Sequence, residues 1–184
     1  MKIKILFFLL VFGIGFSFYY FNEYKIVNDK EAIQSSLKVW LNRGYSMEVY
    51  EPNLLKVVRL DDSKSYISLF QFHEGYGYAH LVEGINGKLK IVTSSHGGSL
   101  INNRLIETSE GKYIVLYGKN PNSKIKTILI NSRNKIHNLK LNMPDDESLL
   151  IYEKVPDHFE NPLPDEFILL DGNDNEIELV HYFN

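Results

Sequence analysis

The sequence predicts an α+β fold, mostly β: an N-terminal membrane anchor, one membrane-proximal helix, and antiparallel sheets with a sandwich-like C-terminal half. Three observations predict it. The chain opens with a charge-free run from Ile5 to Phe21. A single stretch of helical period follows, from Asn28 to Gly44. Beyond Gly44 the apolar period becomes two, and turn residues recur at short intervals.

The opening segment sets the expected topology. Lys2 and Lys4 precede the apolar run, which places the N-terminus on the cytoplasmic side. The run from Ile5 to Phe21 would be ~25 Å long as a helix, against ~30 Å for a hydrocarbon core. Tyr19 and Tyr20 stand near its outer end, where aromatic belts form. Residues 1–24 therefore read as a signal anchor, transmembrane over about 5–21, and residues 25–184 as an extracytoplasmic domain. The rival is a cleaved signal peptide with Ile5 to Phe12 as its apolar region. Gly15 and Ser17 would then flank a cut after Ser17 and leave a secreted soluble protein. The apolar "FYYF" beyond that cut favours the anchor.

Composition narrows the classes of function. The chain has 184 residues, 44% apolar and 23% charged, enough to bury a core. It has 20 basic and 23 acidic residues. Without Lys2 and Lys4 the remainder carries a net charge of 18 − 23 = −5. No basic run interleaved with aromatics is present, so nucleic acid is not an expected partner. Cysteine is absent, which removes disulfides, thiolate catalysis, thiolate metal sites and an N-terminal lipidated Cys.

"NDKEAIQSSLKVWLNRG" reads as the helix. Asn28 is the expected N-cap, with Glu31 at N3 completing a capping-box-like pair. Ile33, Leu37, Trp40 and Leu41 form one apolar stripe, read as a face packed on a sheet. Gly44 suits the position after the C-cap, and Arg43 suits the negative end of the dipole.

Strands are expected at 54–60, 65–72, 78–84, 88–95, 104–109, 112–118, 125–131, 136–142, 149–155, 166–171 and 176–183. Sequential strands without crossover helices imply antiparallel pairing. "KYIVLY" is apolar on both faces and reads as a central strand. A subdivision near 109–112 would separate a helix-plus-sheet half from a sandwich-like half. Asn86-Gly87 is a strong two-residue hairpin signal. As a type I′ turn it would pair Glu83 with Lys90, Val82 with Ile91, Leu81 with Val92 and His80 with Thr93.

The stretches "GKYIVLYGKNPNSKIKTILI", "LLIYEKV" and "LLDGNDNEIEL" resemble small membrane-anchored or secreted proteins of unknown function from Bacillus-type Gram-positive bacteria. The resemblance spans roughly residues 110–180. It implies an extracytoplasmic β-rich domain and brings no activity and no catalytic residue.

Each chemical motif lacks an essential part. His73, Glu74, His80 and Glu83 cluster in sequence, but the spacing is not the HExxH that puts two His on one helical face. "SSHGGS", Ser94 to Ser99, is similar to an esterase oxyanion loop, yet no G-x-S-x-G elbow accompanies it. "DGNDNE" offers Asp171, Asn173 and Asn175 at calcium-loop spacing, but Glu176 stands where Gly is needed and Tyr182 where Glu is needed. His181 falls on an apolar face and reads as a core-edge residue. "GYGY", Gly75 to Tyr78, could present two rings to a sugar, although packing is the ordinary use of such rings. Asp61-Asp62 and Asp145-Asp146 read as solvated turn residues. No catalytic, cofactor-binding or metal-binding residue is assigned, and no cofactor is expected. The expected function is a non-catalytic binding or accessory module, held to the membrane by its N-terminal helix and serving an unknown envelope protein or ligand. The alternatives are a cell-envelope hydrolase and a secreted soluble protein.

Overall fold

The computed structural model describes residues 2–44, 49–73, 75–131, 138–156 and 166–177. Two α-helices come first, α1 (Lys2–Glu23) and α2 (Lys30–Leu41). Ten strands follow: β1 (Asn53–Arg59), β2 (Ser65–Phe72), β3 (Gly75–Glu83), β4 (Leu89–Gly97), β5 (Ile101–Thr108), β6 (Gly111–Lys119), β7 (Thr127–Asn131), β8 (Asn138–Asn142), β9 (Ser148–Val155) and β10 (Glu166–Leu170). They match ten of the eleven expected strands. Of the eleventh, only Glu176 and Ile177 are described, and Glu176 bridges to Leu170; residues 178–183 lie outside the described residues. Every named strand pair is antiparallel, as expected.

The strands form three sheets, ordered β1-β2-β3-β4, β5-β6-β9 and β10-β7-β8. Their buried side chains sort into three cores. Ile33 and Leu37 of α2 pack with Leu54, Tyr66, Phe70, Leu81, Leu89 and Ile91 on one face of the first sheet. The opposite face, with Ile67, Leu69 and Tyr78, packs against Tyr113, Val115, Tyr117 and Leu150 of the second sheet. The second sheet's other face, with Ile114, Leu116 and Leu149, packs against Ile128, Ile130, Leu141 and Leu169 of the third. The order of layers is thus α2, first sheet, second sheet, third sheet. Period-2 alternation is what lets one strand serve two cores. "KYIVLY" behaves as expected: β6 lies between β5 and β9 and is buried on both faces.

A tie of opposite charge joins β1 to the β8–β9 loop. Lys56 Nζ lies 2.6 Å from Asp146 and donates to the Ser148 carbonyl at 2.9 Å. The Lys56 bond, then the Ser148 amide, hold the Asp146 carboxyl down to about 2. Asp145 likewise pairs with Lys126. The Asp145-Asp146 turn is therefore engaged rather than merely solvated. The chain passes from the first sheet to the second at 98–100. Residues 109–110 are the β5–β6 turn, closed by Glu110 N donating to Thr108 Oγ1 at 3.0 Å, and 111–112 begin β6.

The ends of α2 differ from expectation by one residue. Asp29, not Asn28, is the N-cap, and its carboxylate accepts from Ala32 N at 2.8 Å. A charged acceptor there also meets the positive end of the helix dipole. Glu31 then falls one position short of a capping box. Asn42 is the C-cap, with its side chain donating to the Lys38 carbonyl at 2.8 Å, and Gly44 has no left-handed role. Arg43 lies flat over Trp40, its guanidinium 3.4 Å from the ring centre.

The transmembrane reading of residues 5–21 is not matched in length and apolarity. Among the described residues, no helix is long and apolar enough to cross a membrane. Yet α1 is a continuous helix of 22 residues. Its described large apolar side chains from Ile5 to Phe21, apart from the half-buried Tyr20, are between 51% and 78% exposed. They pack on none of the three cores.

Candidate functional site

The last turn of α1 does not lead into a free linker. It docks on the β3–β4 hairpin. The Tyr20 hydroxyl accepts from the Ile85 amide at 2.6 Å. The Tyr24 carbonyl accepts from Asn86 Nδ2 at 2.9 Å. The two tyrosines are four residues apart on one helical face, and their rings stack at 4.6 Å. Lys90 Nζ sits 4.8 Å from the centre of the Tyr24 ring. Two residues further, Ile26 exchanges both backbone bonds with Leu89, at 3.0 and 2.8 Å, and so joins the edge of β4.

The hairpin's own chemistry makes this docking possible. Gly87 N donates to the Gly84 carbonyl at 3.1 Å, and Gly84 N donates to the Lys88 carbonyl at 2.8 Å. Gly87 alone in the turn has positive φ, +69°. This is the three-residue loop whose last residue is left-handed, a G1-bulge hairpin, not the two-residue type I′ turn. The pairing shifts accordingly: Glu83 opposes Leu89, Val82 opposes Lys90 and Leu81 opposes Ile91. A bulge between His80 and Leu81 then restores the expected His80–Thr93 pair. The expected Glu83–Lys90 ion pair is not formed. Glu83 instead accepts from the Tyr66 hydroxyl at 2.8 Å. Gly84 lies under both tyrosine rings, where a β-carbon would stand 2.5 Å from the Tyr20 hydroxyl and 2.7 Å from the Tyr24 ring.

Beside the docked end of α1 lies a cleft of about 390 Å³. It is lined by Asn22, Glu23, Lys25, Ile26, Ser35, Ser36, Val39, Trp40, Lys90 and Ile91. Trp40 is fixed in its wall, its indole nitrogen donating to Ser94 Oγ at 2.9 Å. The lining combines an apolar floor, one indole, two lysines and one carboxylate. Such a site suits an amphipathic ligand or a partner segment with an apolar anchor.

The residues singled out in sequence lie elsewhere and apart. His73 occupies the β2–β3 turn with φ +48°; Glu74 lies outside the described residues. His80 is buried, 3.1 Å from Ser65 Oγ through Nε2, and burial pushes its pKa below 6.5. His96 packs on Phe72 at 4.7 Å, while its neighbour Ser95 accepts from Arg104 at 3.1 Å. Serine and histidine thus face different groups, as alternation along a strand requires. Among the described residues, no three His, Asp or Glu side chains group closely enough to hold a metal ion. The Asp171 carboxylate is taken up by its own turn, accepting from Asn173 N at 2.8 Å and Asn175 N at 2.9 Å. The Asn175 bonds lower its pKa. Tyr76 and Tyr78 both pack in the core between the first and second sheets, so they do not offer a stacking platform. His181 lies outside the described residues. Sequence reasoning missed the α1–hairpin contact. Its one signal was the pair Tyr20 and Tyr24, spaced i, i+4 at the end of the apolar run.

No family model, no curated protein and no solved structure matches this chain.

Proposed function

We propose that the chain is a non-catalytic binding or accessory module, anchored in a membrane by α1 with its β-rich part outside the cytoplasm. The observation that supports this most directly is the apolar surface of α1, whose large apolar side chains from Phe7 to Tyr19 are exposed among the described residues. In water such a surface is costly, at ~25 cal/mol per Å², and a helix apolar on all sides belongs in lipid. The charge-free run is ~5 Å shorter than an average hydrocarbon core, which local thinning of the bilayer and snorkelling lysines absorb at modest cost. Lys2 and Lys4 favour an N-terminus inside. The cleft at Trp40 is the place we assign to the envelope ligand or partner.

The test is a fusion of alkaline phosphatase after Asn184, combined with carbonate extraction of membranes. Active phosphatase in the extracted membrane pellet is expected. A mature chain beginning at Phe18 in the culture medium would replace the anchor with secretion. An inactive fusion would reverse the topology.

A further inference from the structure

We infer that the tip of the β3–β4 hairpin is a second membrane contact, with Ile85 dipping into the lipid interface beside α1. The inference rests on the anchor reading above. Its ground is geometric. Ile85 is a large apolar residue at the turn, and it is 82% exposed. Its amide donates at 2.6 Å to the Tyr20 hydroxyl. Tyr20 precedes Phe21, the last apolar residue of the run, by one helical step of ~1.5 Å. Helical side chains lean toward the N-terminus, so the hydroxyl lies level with the turn before its own Cα. The tip therefore reaches beside the apolar run itself, not above it. Any bilayer that covers α1 as far as Phe21 also reaches Ile85.

Charge agrees with this placement. Lys25 and Lys88 are exposed around the same junction, against one exposed carboxylate, Glu23, and Lys90 is drawn over the Tyr24 ring. Cations just outside an apolar boundary suit anionic headgroups. The tip cannot swing away, because it is held by Tyr20, by Tyr24 and by the Ile26–Leu89 bridge. The orientation of the β-rich part relative to the membrane is thereby fixed by contacts, and the Trp40 cleft, which shares Ile26 and Lys90 with this junction, faces the headgroup layer.

The chain has no Cys, so single-site labelling is clean. Ile85→Cys, Phe12→Cys and Asn173→Cys, each in the full chain, would carry an environment-sensitive fluorophore. Each would be reconstituted in phosphatidylethanolamine–phosphatidylglycerol vesicles with quenchers held at two depths. The Ile85 label is expected to lose about half its emission to quenchers at the headgroup boundary, the depth of interfacial residues. The Phe12 label should respond to the deep quencher and the Asn173 label to neither. A quenched Phe12 with an unquenched Ile85 would overturn this inference and leave the anchor standing. An unquenched Phe12 would overturn both. Equal quenching at Asn173 and Ile85 would also overturn it, since contact would not then be specific to the hairpin.

Discussion

Gly84→Ala should undock α1 from the hairpin while leaving the sheets intact. The new β-carbon would stand 2.5 Å from the Tyr20 hydroxyl and 2.7 Å from the Tyr24 ring. Real contacts of this kind do not fall below about 3 Å, so both rings must withdraw. Withdrawal breaks the Ile85–Tyr20 hydrogen bond, ~1 kcal/mol, and the Lys90–Tyr24 contact, ~0.5–1 kcal/mol. The sum, ~1.5–2 kcal/mol, corresponds to a roughly 10- to 30-fold rise in opening of the junction. Residue-resolved hydrogen exchange in micelles reads this directly. The Ile85 amide should exchange ~10-fold faster or more, because its partner among the described residues is the Tyr20 hydroxyl. The amides of β6, remote from the junction, should be unchanged. Tyr20→Phe, which deletes the hydroxyl without a clash, should accelerate Ile85 alone. Unchanged exchange at Ile85 in Gly84→Ala would refute the docking argument.

The other predictions concern the folded β-rich part. Gly87→Val should cost ~1–3 kcal/mol by denaturant melting, because valine resists the φ of +69° that the turn requires; an unchanged midpoint would count against the G1-bulge turn. Tyr113 is fully buried and, among the described residues, no acceptor or donor meets its hydroxyl with good hydrogen-bond geometry; burial first, then a looser interaction with the Asp61 carboxylate, push it up to about 12. An unpaired buried hydroxyl costs ~1–3 kcal/mol, so Tyr113→Phe should be neutral or stabilising, and a clear drop in Tm would show that the hydroxyl is bonded. Burial lowers the His80 pKa, so the folded state prefers the neutral ring; stability is full above pH 6.5 and falls as pH drops below it, and His80→Gln should flatten that slope. For Asp146, lowered from 3.8 to about 2, stability is present above pH 3.8 and is lost on descent through about 2. The carboxylate is 42% exposed, so screening reduces its contribution to ~1 kcal/mol, and Lys56→Met should shrink the step, leaving the part that the Ser148 bonds supply.

What was legible in the sequence was what a period can encode. Ile33 and Leu37 announce the buried stripe of α2, and "KYIVLY" announces a strand enclosed by two cores. The hairpin shows where local signals stop. Asn86-Gly87 is a strong turn signal, yet register is set by which side chains reach the core. A type I′ turn would place Val92 opposite Leu81 and turn Lys90 inward. The observed turn places Ile91 opposite Leu81 and buries Leu89 completely. One added loop residue exchanges an inward-facing Glu83–Lys90 pair for two buried apolar side chains, worth ~1.5–3 kcal/mol each. The layering of three sheets was not legible, because alternation shows that both faces are covered but not by what. The candidate site was not legible for the same reason: Tyr20, Trp40 and Lys90 are far apart in sequence and meet only when α1, α2 and β4 converge.

That convergence bears on how a small anchored module would work. A flexible tether lets a domain sample many orientations, so a ligand at the bilayer surface must wait for the right one. Here the connection from α1 to α2, which packs on the first sheet, is Tyr24 to Asp29. Three of its residues are already engaged: Tyr24 holds Asn86, Ile26 pairs with Leu89, and Asp29 caps α2. Little of the connection is left to bend. The rings of Tyr20 and Tyr24 press on Gly84, which has no side chain, and this lets the turn come close to the helix. The cleft at Trp40 opens from this same rigid corner. Under the proposed anchoring, a binding site built there would be presented at one height and one angle, and its ligand would incur little entropy cost for orienting the domain. The docked end of α1 and the cleft at Trp40 are therefore parts of one packed corner, and Gly84 is where helix and hairpin come closest.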